Sequence, residues 1–497
     1  MAAPASYFNV IDQFSSKSVL VIGDFIMDVY VKGRSNRLSP EAPVPVVDVA
    51  AKVVVPGGAA NTACNLKKLG ARVTFCSATG TDESADEGIR IMKDCGIDTR
   101  IFQHPDRATL IKTRVMVDGH VLIRFDEGSD VDLNEALEHT LLETLQQEYH
   151  QYDAIVISDY NKGIVTDRVL EKLCELQKIC QKFIAVDSKR LPFFCELAPD
   201  LVKPNYGEIV RLVKLPHAFA ERCSTLQAAG EQVEKATNAK ITAVTLDDEG
   251  SMIFCADRFV YRALAPPVTS PHVSGAGDTY ISAFMLGYLC SEQIPVAAEV
   301  ATAAASIAIS KNETSSCTSQ ELRCHFYQQQ KYIRSLSSLE EICALYRAQG
   351  KRIVFTNGCF DILHSGHVSY LDQARALGDI LIVGINKDES IRRLKGPTRP
   401  LNLLEDRLQV VAGLSAVTHV VAFGEQHDDT PINLIKVVKP TYFVKGGDYT
   451  RAKLPEAGTV DEVGGEIIFI PYVSDHSTSR IIEHIQKTHT ADQAAIV

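Results

Sequence analysis

No Cys-x-x-Cys pair occurs among the thirteen cysteines, and their number is odd. A disulfide framework is therefore not expected, and reduced thiols in a cytosol fit better. Positive charge is in deficit as well: 51 Lys and Arg face 62 Asp and Glu, a formal net charge of −11. That balance argues against broad binding to nucleic acid or to an acidic membrane surface. It still allows small anions, which a few local lysines, arginines and helix N-termini can hold. No run of about 18 apolar residues is present, so no membrane-spanning helix is expected. The N-terminal MAAPASYFNVIDQFSSKSVLV lacks the basic start, apolar run and cleavage site of a secretory signal. A cytoplasmic location is expected. Internal repeats and low-complexity tracts are absent too.

What is present is an ordinary soluble balance, 45% hydrophobic and 23% charged, in 497 residues. That length calls for two or three domains. In the first three hundred residues, KSVLVIGD (17–24), DAIVISDY (153–160), KFIAVDS (182–188) and KITAVTLDDEG (240–250) read as strands of a buried parallel sheet. Amphipathic segments such as NEALEHTLLETLQQEYH (134–150) lie between them. The Pro-rich, then β-branched SPEAPVPVVDVAAKVVV (39–55) suits a small lid rather than a central sheet. Residues 315–350 are polar and helical. A second α/β series follows in KRIVFTNG (351–358), DILIVGIN (379–386), THVVAF (418–423), PTYFVKG (440–446) and GEIIFIP (465–471). The expected organisation is a domain over 1–325, a helical linker over 326–345 and a nucleotide-binding-type domain over 346–497.

VSGAGDTYISAFMLGYL (273–289) is the sharpest feature of the first half. Gly275, Ala276 and Gly277 leave backbone amides uncovered where a helix starts, which makes an anion site. Asp278 follows at once, where a carboxylate can take a proton from an attacking hydroxyl. A plain N-cap after a Gly turn is the competing reading. The loop is not a Walker A motif, because the GK[ST] ending is missing. PGGAANTACNLKKLG (56–70) brings Gly57, Gly58, Asn61 and Asn65 to a helical start, as sugar ligands or as caps. VKPNYGE (202–208) ends a strand with Asn205, Tyr206, Gly207 and Glu208, and Glu208 could serve magnesium. VIGDFIMD (21–28) places Asp24 and Asp28 where a carboxylate can fix a sugar diol.

These stretches, in this order, resemble the ribokinase-type carbohydrate kinase superfamily over roughly residues 15–315. The resemblance implies a ribokinase-like fold with a β lid, and Asp278 as the base. It also implies that Asn205 to Glu208 and Gly275 to Gly277 meet the nucleotide and its magnesium. Asp24, Asp28, Gly57, Gly58 and Asn61 would meet the sugar. Two departures are His272, where relatives often carry Asp, and KNETSSCTS (311–319), where many are richer in glycine.

IVFTNGCFDILHSGHVSYLDQARALGD (353–379) opens the second half. His364 and His367 share one face at a helix start. A zinc site, a pair of core histidines and a pair of donors to nucleotide phosphates all remain possible from spacing. HExxH and any further ligand cluster are absent, which weighs against metal. Cys359 reads as a small packing residue. The T-x-G-x-F-D-x-x-H-x-G-H pattern from Thr356 to His367, with HSTSRII (476–482), resembles the HxGH nucleotidyltransferase superfamily. That implies a Rossmann-like, doubly wound domain in which His364 and His367 hold a triphosphate. Thr356, Gly358 and Phe360 would line the nucleotide site, Ser477, Thr478 and Ser479 would cradle phosphates, and Lys395 and Arg407 are candidate phosphate ligands.

Together with SNRLSPEAPVPVVDV (35–49), SDYNKGIV (158–165) and VKGGDY (444–449), the domain order resembles bacterial bifunctional heptose 7-phosphate kinase/heptose 1-phosphate adenylyltransferases. The resemblance implies ATP with Mg2+, no tightly bound cofactor, and ADP-heptose for lipopolysaccharide core as product. Arg37, Glu41, Arg124 and Lys162 could meet the heptose or its phosphate. Partners are expected to be small molecules, with a homodimer through the kinase domain. Two alternatives stay open: a sugar or polyol kinase fused to a cytidylyltransferase, and a non-enzymatic sensor.

Overall fold

The computed structural model describes residues 4–215, 221–266, 275–311, 316–425, 428–447 and 450–471. The chain divides into two compact units, Met1–Arg323 and Cys324–Val497.

The first unit is built on a nine-stranded sheet. Its first strand in the chain, Ser18–Gly23, lies inside the sheet and is buried along almost its whole length. A strand covered on both faces needs no alternation of apolar and polar residues, which is why SVLVIG reads as continuous. It pairs in parallel with Arg72–Thr79 on one side and Ala154–Asp159 on the other. Beyond Ala154–Asp159 come Phe183–Ser188, Leu201–Val202 and Ile241–Thr245, all parallel, then an antiparallel edge. Strand order thus reverses beside Ser18–Gly23, and the crevice at that switch point is where an α/β sheet takes its ligand. Gly23 is required there, since a Cβ on it would lie 1.9 Å from the Ser158 carbonyl oxygen. The last run expected as strand ends early, at Thr245, because Asp247–Glu249 turns as a short 3-10 helix.

The lid is larger than the 39–55 flap expected. Phe25–Leu38, Pro45–Gly57, Leu110–Val117 and His120–Glu127 form one four-stranded sheet. Three of these strands are mixed polar and apolar, so the sequence reads them weakly. The candidate loop leads into the helix Ala276–Ser291, followed by Ile294–Ile309. Both are apolar on nearly every side because other elements cover them. Among the described residues no helix is long and apolar enough to cross a membrane. All thirteen cysteines are free.

The second unit holds a six-stranded, wholly parallel sheet. Its order is Tyr332–Ile333, His419–Phe423, Ile380–Asn386, Ile353–Gly358, Tyr442–Gly446 and Glu466–Ile470. The switch falls between Ile353–Gly358 and Tyr442–Gly446, so the chain leaving Gly358 enters the ligand crevice. The stretch expected as a helical linker is built into this unit. Tyr332–Ile333 pairs with His419–Phe423, and in the helix Leu336–Ala348 the buried Tyr346 meets His419. The division therefore falls at Arg323, inside the helix Ser319–Gln329.

His419 is fully buried between Tyr346 OH, 2.8 Å from Nε2, and the Gln330 carbonyl, 2.7 Å from Nδ1. Both nitrogens are satisfied by a neutral ring, and burial pushes its pKa from 6.5 to about 4. The neutral ring's stabilisation is complete above the unfolded value and is lost as pH falls from 6.5 towards 4. Calorimetry on His419→Gln should show a second unit with lower stability at neutral pH and a shallower acid slope than wild type. An equal slope would place the acid sensitivity elsewhere.

Candidate active sites

In the first unit the crevice is organised around Asp278. Gly275, at φ 84°, turns the chain so that the helix starts at Ala276. Asp278 is then held in the first turn, buried, with three donors on its carboxylate. Asn61 Nδ2 donates at 2.7 Å, Tyr160 OH at 3.2 Å and Thr62 Oγ1 at 3.3 Å. Asn61 and Thr62 come from the helix Gly58–Leu69, whose small residues Ala59, Ala60 and Ala63 are fully buried. Asn65 extends the network, donating to Asn61 Oδ1 at 3.2 Å and accepting from Thr279 Oγ1 at 2.7 Å. Burial and then the neighbouring Asp187 push the Asp278 carboxyl up to about 6. Burial and Asp278 raise the Tyr160 phenol far above its ordinary value, so it stays a donor.

Beside Asp278 lies a cavity of about 140 Å³, lined by Gly275, Gly277, Tyr160, Asp187, Lys189, Lys203 and Glu208. Lys203 is buried and pairs with Asp187 at 3.3 Å. Burial opposes its charge, but Asp187, Glu208 and Asp278 outweigh that and raise its pKa. Gly277 leaves room for Lys203, since a Cβ there would sit 2.8 Å from Lys203 Nζ and push the ammonium aside. A buried ammonium beside amides at a helix N-terminus is suited to a phosphate.

Asp24 is fully buried at the end of the strand Ser18–Gly23. One oxygen accepts from the Tyr160 and Lys162 amides at 2.7 and 3.3 Å. The other, Oδ1, has no hydrogen-bond partner among the described residues. Burial and then Asp159 push this carboxyl up to about 6. Asp28, on the lid, accepts from Arg114 at 2.6 Å. Gly57 lies against it, where a Cβ would come 2.6 Å from Asp28 Oδ2, and Gly58 turns at φ 53°.

Two expected residues have other work. Asn205 and Glu208 form a reciprocal capping box: the Glu208 amide donates to Asn205 Oδ1 and the Asn205 amide to Glu208 Oε2, both at 2.9 Å. Glu208 nonetheless lines the cavity, whereas Asn205 does not. The Tyr206 side chain lies in an apolar cluster with Ile209, Val210 and Leu246, so it is core rather than lining. Lys203, Asp187, Thr62 and Tyr160 were not singled out from sequence. LVKPNYGE carries the only hint, a lysine just before the capping box. His272 and residues 312–315 lie outside the described residues.

In the second unit, Gly358 leads to Phe360, which has a left-handed φ of 48° and covers Gly358. His364 is the N-cap of the helix Ser365–Ala376, and His367 lies in its first turn. Their ring centroids are 3.9 Å apart, and Phe360 packs 5.3 Å from His367. Burial, His364 and Lys395 push the His367 pKa down to about 4. Its Nδ1 is buried with no hydrogen-bond partner among the described residues. No group of three metal-ligating side chains gathers among the described residues. Thr356 is buried and bonds Tyr370 OH at 2.6 Å, so it fixes the strand to the helix carrying His367. Ser477, Thr478 and Ser479 lie outside the described residues.

Arg407 corrects an expectation. It is no surface charge and has little left for a phosphate. Its guanidinium is buried and donates to the carbonyls of Cys359, Asn386 and Asn402 at 2.7, 2.8 and 3.0 Å, and to Asp388 at 2.6 Å. It ties the loop after Gly358 to the next strand and to the 396–403 loop. Asp361 grips that loop from the other side, accepting from the Leu401 and Asn402 amides and pairing with Arg399. Arg407→Met should cost about 3 kcal/mol by orphaning the buried Asn386 carbonyl, two part-buried carbonyls and Asp388. The second unit's melting should shift down in calorimetry, with the first unit's unchanged. A pure rise in nucleotide KM without destabilisation would restore the phosphate role.

Comparison with known proteins decides the family. Residues 16–321 match the model of the pfkB family carbohydrate kinases, and residues 355–484 match the cytidylyltransferase-like model. The Bifunctional protein HldE of Trichlorobacter lovleyi is 36% identical over 490 residues, covering 98% of this chain and 99% of that one. The same-named protein of Helicobacter pylori is 38% identical over 475 residues, covering 95% and 99%. The chain belongs to the bifunctional HldE family. It carries a kinase domain followed by a nucleotidyltransferase domain. Phosphofructokinase-2 of Escherichia coli, solved with substrates and products, superposes with TM-score 0.52 at 20% identity, covering 62% of this chain and 98% of that one. At that identity the likeness concerns the fold alone.

Proposed function

We propose that the first unit transfers the γ-phosphoryl group of ATP to the anomeric hydroxyl of D-glycero-β-D-manno-heptose 7-phosphate. The second joins heptose 1-phosphate to the AMP moiety of ATP, releasing pyrophosphate and forming ADP-heptose. A separate phosphatase removes the 7-phosphate between the two steps.

The observation that carries the kinase half is Asp278, a buried carboxylate raised to about 6, at a helix N-terminus beside Lys203. The sugar hydroxyl attacks the γ-phosphorus, the bond to the β-phosphate oxygen breaks, and Asp278 takes the hydroxyl proton. Lys203 and the Gly275–Gly277 amides meet the charge of the moving phosphoryl group. The unpartnered Oδ1 of Asp24 accepts from a sugar hydroxyl, with Asp28 and Asn61 beside it. In the second unit, His364 and the neutral His367 donate to the triphosphate while the sugar phosphate attacks the α-phosphorus.

Magnesium bound with ATP would neutralise phosphate charge. It needs only one or two carboxylates besides the phosphates, and Glu208 and Asp187 on the cavity wall suit that role. No tightly bound cofactor is called for. Val121, Ile123 and Phe125 leave an exposed apolar edge on the lid, which supports a homodimer through the kinase unit. The protein works in the cytoplasm, where ATP is available. Incubation with ATP, magnesium and heptose 7-phosphate, with and without a phosphatase, tests the reading by mass. Heptose bisphosphate must form without the phosphatase, and ADP-heptose only with it. A CTP-dependent product in its place would favour the cytidylyltransferase alternative.

A further inference from the structure

Lys112 is a charged lid residue that the proposed reaction leaves without a role. It lies on Leu110–Val117, directly opposite Asp28 on one neighbouring strand and Asp126 on the other. Its Nζ stands 4.9 Å from the centre of the Tyr160 ring. Tyr160 is the same residue whose hydroxyl donates to Asp278. The Lys112 ammonium is therefore one aromatic ring away from the group that takes the sugar's proton.

The neighbouring cations are already matched. Arg114 is paired with Asp28 at 2.6 Å, and Arg124 with Asp126 at 3.0 Å. Across the strands these arginines face each other, and their carboxylates are the ones nearest Lys112. Lys112 itself makes no ion pair or hydrogen bond among the described residues. Asp28 and Asp126 act on it only at longer range, while Lys189 and Arg114 repel it, and burial lowers its pKa. Lys189, on the cavity wall, likewise has no ion-pair partner among the described residues. A half-buried ammonium without a counter-ion is costly unless an anion arrives with the ligand. The ring of Tyr160 offsets part of that cost but carries no net charge.

A second phosphate position follows from this. The moving phosphoryl group is served by Lys203 and the helix amides. Lys112 lies on the lid opposite Asp28, a residue assigned above to the sugar, and is not among the residues lining the phosphoryl cavity. We propose that Lys112 binds the phosphate already carried by the sugar, and so makes the kinase select phosphorylated over neutral sugars. This rests on the function proposed above and adds the residue that reads the distal phosphate. An ammonium–phosphate contact has direction and charge but no fork, as suits one lysine closing on a mobile group.

The test measures kcat/KM for heptose 7-phosphate and for unphosphorylated heptose, with KM for ATP, in wild type and in Lys112→Met. The methionine keeps the stem against Tyr160 and removes only the charge. Wild type should prefer the phosphorylated sugar strongly. Lys112→Met should cut that preference by about a hundredfold, mainly through KM, with KM for ATP and turnover of neutral heptose unchanged. An equal fall for both sugars would overturn the proposal, as would a rise confined to KM for ATP. If wild type phosphorylates no heptose phosphate, the substrate reading has failed. The Lys112 proposal is then judged on matched pairs of other sugars and their phosphates. Wild type must favour the phosphorylated member and Lys112→Met must lose that preference, or the proposal falls.

Discussion

Asp278→Asn is expected to reduce kinase turnover by about a thousandfold or more while pyrophosphate release by the second unit stays at the wild-type level. The substitution keeps size and the oxygen that accepts from Tyr160 and Thr62. What it removes is the ability to take a proton, which general-base catalysis values at about 10²–10⁴. It also sets an amide opposite Asn61 Nδ2, which now donates at 2.7 Å. One donor must then go unsatisfied, so part of the loss comes from misplacement of the sugar. The pH profile separates the two causes. With Asp278 and the sugar-binding Asp24 both held at about 6, wild-type kinase kcat/KM should fall more steeply than tenfold per unit as pH drops below that value. In Asp278→Asn the residual rate should keep only the shallower limb set by Asp24. Retention of more than a tenth of wild-type turnover would remove Asp278 from the role of base. Loss of both activities in a folded protein would end the idea of two independent sites.

The same residues show what a sequence can reveal and what it withholds. Gly275 could be found because the turn before the helix demands a left-handed residue, and Gly277, Asp278 and Asn61 because they stand at fixed spacings in short motifs that resemble a known family. Strands at the centre of either sheet were readable for a different reason: burial on both faces leaves a continuous apolar run, as in SVLVIG and ILIVGIN. The lid was half read. Its Phe25–Leu38 strand has one end in the core and the other in solvent, so neither an alternating nor a continuous pattern covers it. Lys203, Tyr160 and Asp187 come from the ends of three different strands, and only the strand order makes them neighbours. Lys112 needs the register of the lid as well. Arg407 failed in the opposite direction. A charge inside EDRLQVV looks like helix surface, yet it is fully enclosed by loops whose approach no local pattern records. Its partners are backbone carbonyls, which every residue type presents alike.

The second large effect belongs to His367. His367→Ala should lower adenylyl transfer by about a hundredfold to a thousandfold, the loss typical of one pre-organised donor to a developing anion, and leave the kinase untouched. The argument turns on charge. Two imidazoles 3.9 Å apart, centroid to centroid, would repel if both were protonated. Burial and the Lys395 ammonium add to that, and His367 is held neutral down to about 4. A neutral ring still donates one N–H, and its buried Nδ1 has no protein acceptor among the described residues. The ring therefore enters the reaction with donor capacity in reserve. Charge that builds on the α-phosphate as the sugar phosphate attacks can take it up, whereas the ground-state triphosphate gains less. The loss should then fall on kcat more than on KM. It should be nearly independent of pH from 6 to 8, because no proton leaves the ring in that range. His367→Asn, which can place an amide N–H near the same position, should recover part of the rate. A loss confined to KM, with no recovery by Asn, would make His367 a ground-state contact only.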